Sequence, residues 1–132
     1  MPIQATIRVS NSLKGKKKLT EDRVESVLRS KLLAIAETAV GFSPVDTGAY
    51  VTSHSIKPSG SSYGRGVSSR RKPPRQEAEA KAEAMDNLRG DISAMDVNDM
   101  KKVTLRNDSP HAQAVEYKHG YAVFAKVRNI HG

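Results

Sequence analysis

The chain has 132 residues, the length of one domain, and a hydrophobic fraction of 37% with two Phe, four Tyr and no Trp, so a lone subunit buries only a small core. It has no cysteine, which excludes disulfides and thiolate-held metals, and its formal charge of +8 suits nucleic acid, an anionic surface or an acidic partner protein. Met1 to Ser12 lacks the continuous apolar core of an export signal and nowhere do about 18 apolar residues run together, so the expectation is a soluble protein made in a cytoplasm, with no membrane segment.

In chain order, Ile3, Ala5, Ile7 and Val9 alternate with polar residues, which predicts a strand with one buried face. Asn11 to Lys18, with Gly15 and three consecutive lysines, reads as a solvated loop. Thr20 is a suitable N-cap, and Glu21 and Asp22 stand where the helix dipole favours negative charge. Val24, Val27, Leu28, Leu32, Ile35, Ala36 and Ala39 then follow one helical face to about Val40. Gly41 is expected to close this helix in a left-handed conformation, and Pro44 to prevent its continuation.

Ser43 to Ile56 reads as a structured turn that leads into a strand at Tyr50 to Ile56. Pro44, Val45, Asp46, Thr47 and Gly48 form the turn, with side-chain acceptors at Asp46 and Thr47 and a glycine that permits a sharp bend. Lys57 to Arg75 holds six basic residues, no acidic one and no apolar period, and is expected to be a flexible basic arm. Arg65, Arg70, Arg71, Lys72 and Arg75 carry most of its charge. The composition reverses from Gln76 to Met100, where an alanine-rich start favours helix and Met85, Leu88, Ile92 and Met95 make a narrow apolar seam. Val103 and Leu105 alternate in a short strand from Lys102 to Arg106, which Asn107, Asp108, Ser109 and Pro110 interrupt. A last strand is expected at Tyr121 to Val127. The order predicts an α+β fold in one domain over residues 1–132: a small antiparallel sheet flanked by two helices, with the long flexible basic loop at 57–75.

Two of these segments carry a resemblance. Pro44-Val45-Asp46-Thr47-Gly48 after a helix, followed by a strand ending in Ser-Ile, is similar to the opening half of the neck, head–tail joining and tail-completion proteins of tailed bacteriophages. Leu-Arg-Asn-Asp-Ser-Pro-His-Ala-Gln-Ala-Val-Glu-Tyr-Lys-His-Gly resembles the second hallmark of that family, matched at Asn107, Pro110, Ala112, Glu116, Tyr117 and Gly120. The match spans about Val24 to Ile56 and Asp86 to Val127. It departs where His111 takes the place of an aromatic Tyr and where Lys118 and His119 separate Tyr117 from Gly120. The resemblance implies a ring-forming subunit, commonly a hexamer, that acts as a structural virion protein at the neck or tail. Its partners would be other copies of itself, the portal-side connector and tail proteins, after assembly in the host cytoplasm. The basic arm would face neighbouring subunits or make non-specific contact with genomic DNA.

Two rival classes compete with this one. For an enzyme, His54, His111, His119, His131, Asp46 and Glu116 show no catalytic order, and the steps of five and three from His111 through Glu116 to His119 match no zinc pattern, so no catalysis, cofactor or metal is expected. Glu116 reads as a turn residue or one end of a subunit salt bridge, and His54→Ala is expected to be nearly silent. Ser-Gly-Ser-Ser-Tyr-Gly-Arg-Gly lacks the Gly-Lys-Ser/Thr of a phosphate loop. The alternative function is a basic, sequence-independent nucleic-acid-binding protein, argued from the arm and from Lys14 to Lys18; Tyr63 is its lone aromatic residue.

Overall fold

A computed structural model describes residues 3–13, 20–45, 49–59, 76–110 and 112–132. Its elements in order are β1 (Ile3–Ile7), α1 (Glu21–Phe42), β2 (His54–Pro58), α2 (Glu77–Ser93), β3 (Val103–Asn107) and α3 (Val123–His131), joined in part by single helical turns. The α+β class is as expected. The segment read as a fourth strand, Tyr121 to Val127, is instead the entry to α3, so three helices accompany a three-stranded sheet among the described residues.

Helix α1 begins as its sequence dictates. Thr20 has extended backbone angles, and its Oγ1 accepts the Arg23 N–H at 3.3 Å, while Glu21 and Asp22 occupy the first turn. Leu28, Leu32, Ile35, Ala36, Ala39 and Val40 are buried. The end differs from expectation, because Gly41 stays within the helix and the only glycine with positive φ among the described residues is Gly120. Pro44 explains the stop by itself. It forces Ser43 out of the helical region, to φ −74° and ψ 132°, and the Ser43 N–H closes the end on the Val40 carbonyl.

Helix α2 also stops earlier than Met100. Asp96 and Asp99 accept one another's backbone N–H groups at 3.3 and 3.0 Å, a local exchange that competes with helix and starts a new turn at Asp99–Lys101. The apolar seam survives the break: Leu88, Ile92, Met95 and Met100 are all buried, with Met85 at the margin.

The sheet order is β1–β3–β2 with both pairs antiparallel, and Ala5, Leu105 and Ile56 lie abreast across it. Strand alternation puts Ile3, Ala5, Ile7, Val103, Leu105, Asn107, His54 and Ile56 on the buried face. Gln4 and Thr6 are exposed on the other face, where Thr6 and Thr104 hydroxyls lie 3.4 Å apart. Among the described residues, no helix is long and apolar enough to cross a membrane.

Helix α2 runs beside the outer edge of β2 and closes it with a buried carboxylate. Asp91 accepts the Ile56 N–H at 3.1 Å and the Lys57 ammonium at 3.4 Å, which satisfies an edge donor that water cannot reach. Asp91→Ala strands that amide, and a loss of about 1–3 kcal/mol in urea unfolding is expected, with Asp91→Asn retaining most of the stability. An unchanged urea midpoint in Asp91→Ala contradicts this account of the edge.

Candidate functional site

Described residues at and beside the two sequence motifs, Ser43, Tyr50, His54 and Asn107, come together in the fold. Pro44 and Val45 follow α1, half-buried, while Asp46, Thr47 and Gly48 lie outside the described residues, as do His111 and the arm residues Arg65, Arg70, Arg71, Lys72 and Arg75 with the flexibility expected of them. The chain reappears at Ala49 and Tyr50, makes one helical turn at Val51–Ser53 and enters β2 at His54. From the second motif, Asn107 ends β3, Pro110 is exposed, Ala112 is buried, and Glu116 and Tyr117 stand on a π-helical turn, Ala114–Lys118. Gly120 has φ +72°, the left-handed conformation that glycine adopts without steric cost.

His54 and Asn107 meet at the centre of this junction. Both side chains are sealed from solvent, as is Ser43. The Asn107 amide donates through Nδ2 to the Tyr50 carbonyl at 2.8 Å and to His54 Nδ1 at 3.3 Å, while its Oδ1 accepts the Ser109 N–H at 2.9 Å. Those backbone partners settle which end of the amide is nitrogen. On the far side of the ring, Ser43 Oγ lies 2.8 Å from His54 Nε2 and donates its own proton to the Ala39 carbonyl at 2.6 Å. The imidazole therefore carries its proton on Nε2 and accepts at Nδ1. Tyr50 packs edge-on against it at 5.1 Å between centroids, and Phe124 lies at 5.8 Å. Burial pushes the His54 pKa down to about 3, so the ring is neutral at physiological pH.

Glu116, read from sequence as a turn residue or one end of a subunit salt bridge, stands on a turn and has a further task there. Its carboxylate, 4% exposed, accepts the Phe124 N–H at Oε1, 2.9 Å, and the Ala125 N–H at Oε2, 3.0 Å. These are free donors of the first turn of α3, which its own N-cap, Ala122 in a left-handed conformation, cannot satisfy with a side chain. This distant cap, together with burial of Val123, Phe124 and Val127, makes the segment a helix rather than a strand. At its far end His131 lies 2.7 Å from Thr38 Oγ1 and 2.9 Å from Lys31 Nζ, which ties α3 to α1. Tyr50 completes the junction: burial, reinforced by the nearby Glu116 charge, pushes its phenol well above its ordinary pKa, and its Oη is buried with no hydrogen-bond partner among the described residues.

Ser43, His54 and Asn107 stand in the order of a nucleophile, base and orienting group, yet the protons run the wrong way for that chemistry. A general base needs a lone pair facing the hydroxyl; here Nε2 presents a proton to it, and the hydroxyl proton is committed to a carbonyl. The arrangement is suited to holding three chain segments in register. The described residues contain no group of three or more His, Asp or Glu placed to hold a metal ion.

Sequence reasoning found Asn107 and Glu116 through the motif and missed Ser43, His54 and Tyr50. A usable signal was present: His54 shares the inward face of β2 with Ile56, a position where a histidine needs buried partners. The expectation that His54→Ala is nearly silent is overturned by its burial at 1% exposure and its contacts with Ser43 and Asn107. No family model, no curated protein and no solved structure matches this chain.

His54 makes stability depend on pH. Above the ordinary histidine pKa of about 6.5 the ring is neutral folded or unfolded; as pH falls from there towards 3, only the unfolded chain takes up the proton, and stability declines across that window. His131, lowered by burial and by Lys31, acts in the same direction. The urea midpoint should fall between about pH 7 and pH 5, and His54→Gln should flatten most of that slope while lowering the midpoint at pH 7. An identical slope in both proteins would refute the assignment. For Glu116→Ala, loss of the cap should cost about 1–3 kcal/mol with reduced helical circular dichroism, whereas a salt bridge on the surface would cost far less.

Proposed function

We propose that this chain is a structural virion protein of a tailed bacteriophage, a non-enzymatic ring subunit of the neck or tail end that joins capsid to tail. The observation that supports this reading is the junction itself. The two segments that resemble the phage family are separated by the whole of α2, and their flanks share one buried node, with Asn107 bonded to the Tyr50 carbonyl and to His54 and with Glu116 beside Tyr50. A node of that kind holds a scaffold in register. Around it the chain leaves Phe42, Tyr117, Tyr121 and Ile130 substantially exposed, with Tyr117 69% open, which is apolar and aromatic area available to neighbouring subunits.

In this reading the copies form a hexameric ring through heterologous contacts, between the portal-side connector and the tail proteins, and the basic arm faces an acidic neighbour or the genome. The +8 charge favours one competing reading, a sequence-independent nucleic-acid-binding protein. Light scattering at low and high salt after nuclease treatment, with negative-stain microscopy of the same samples, separates the two. A closed ring of about six subunits free of nucleic acid is the outcome expected from heterologous contacts. A monomer that retains nucleic acid and releases it as salt rises would replace the neck reading with the binding module. Neutralising Arg70, Arg71, Lys72 and Arg75 together should weaken ring assembly or particle infectivity; if both are unchanged, the arm has no part in either.

A further inference from the structure

The two edges of the sheet are finished in different ways. Ser59 N–H donates to the Lys102 carbonyl at 3.0 Å, which continues the register of β2 on β3 and identifies Lys57↔Thr104 and Ser55↔Arg106 as the hydrogen-bonded pairs. Ile56 therefore points its amide outward, where Asp91 takes it. Thr104 and Arg106 spend their backbone groups on β2, so Val103, Leu105 and Asn107 face β1 and pair with Ile7, Ala5 and Ile3. By the same parity Gln4 and Thr6 direct their N–H and C=O groups away from the sheet. Among the described residues nothing bonds to those outward groups, and both residues are exposed.

Natural sheets block an open edge with proline, charge, a bulge or a covering element. The β2 edge has Asp91, Lys57 and Pro58. Between Ile3 and Ile7, β1 has no proline, no charge and an unbroken register of five pairs. We propose that this free edge docks β1 of a second copy of the chain, antiparallel about a two-fold axis at Ala5, so that two three-stranded sheets become one of six strands.

The geometry selects that occupant. Because Asp91 occupies the β2 edge, β1 cannot extend β2 of a neighbour, and sheet continuity between copies is left with the self-pairing of β1, an isologous contact. Centred on Ala5, the register sets Gln4 against Thr6 of the second copy, each presenting both outward backbone groups, and sets Ile3 against Ile7. Polar meets polar on the exposed face and apolar meets apolar on the buried one. Arg8 falls beyond the paired stretch at opposite ends, so the two arginines are kept apart. This two-fold contact is separate from the heterologous contacts of a ring and does not rest on them.

Thr6→Pro tests the proposal. The amide it removes has no partner among the described residues, and an outward edge position tolerates proline, so circular dichroism and melting temperature should be retained. Sedimentation equilibrium of the wild type should give a concentration-dependent doubling of mass that Thr6→Pro abolishes, and hydrogen exchange at the Gln4 and Thr6 amides should slow as the wild type is concentrated. Gln4→Lys, which puts a charge on each side of the contact without touching the ladder, gives the same loss and decides the matter should the proline variant fail to fold. Exchange that is independent of concentration, or a mass that Gln4→Lys leaves unchanged, overturns the proposal. Wild-type rings that show no concentration-dependent doubling of mass and no slowing of Gln4 and Thr6 amide exchange would overturn it while leaving the neck reading intact; a dimer that Gln4→Lys dissolves, with no ring in any sample, would do the reverse.

Discussion

The fold depends on one constraint: a polar side chain taken out of water must find all its partners inside the protein, and Asn107 does so by reaching three other stretches of chain. Its amide joins the end of β3 to the Tyr50 carbonyl before β2, to the His54 ring within β2, and to the Ser109 N–H in the turn that follows. An apolar residue there could fill the space but could not bring Tyr50 and His54 to fixed positions, and each partner would be left with an unmet group in a low-dielectric interior. Through His54 the network passes to Ser43 and the C-terminal turn of α1. One asparagine thus sets where the first helix ends relative to the sheet.

Glu116 repeats that logic with a charge. A buried carboxylate is costly alone, and here two backbone donors of α3 meet it, so the helix start and the acid satisfy each other. The π-helical turn that bears Glu116 and the left-handed Gly120 and Ala122 that follow bring the chain back to its own carboxylate. The consequence for any assembly is that α3, with Ile130 exposed and Lys126 4.6 Å above the Phe42 ring, is held firmly against α1 as a surface element.

Both polar nodes are enclosed: the His54 ring is neutral, and the Glu116 carboxylate meets two backbone donors. The sheet shows the same economy on one side only. Asp91 finishes the β2 edge, whereas among the described residues nothing bonds to the outward groups of β1. Among the described residues β1 is thus the open side of the sheet, the side on which a further strand could pair.

What the sequence determined by itself is local. The capped start of α1, its apolar face, the alternation of Ile3, Ala5 and Ile7, and the stop at Pro44 follow from interactions within about four residues, where propensity and periodicity act directly. Asn107 and Glu116 were legible as marked positions, though not what they bind. The tertiary structure decided the rest. Val123, Ala125 and Val127 alternate like a strand, and Val123, Phe124 and Val127 also line one side of a helix; a cap supplied from Glu116, eight residues before Phe124, settles between them. His54 was unreadable for the same reason, since Asn107 lies 53 residues away in the chain and only the pairing of β2 with β3 brings the two together. Short-range patterns report what a segment can form, and buried polar partners from distant segments select which form it takes.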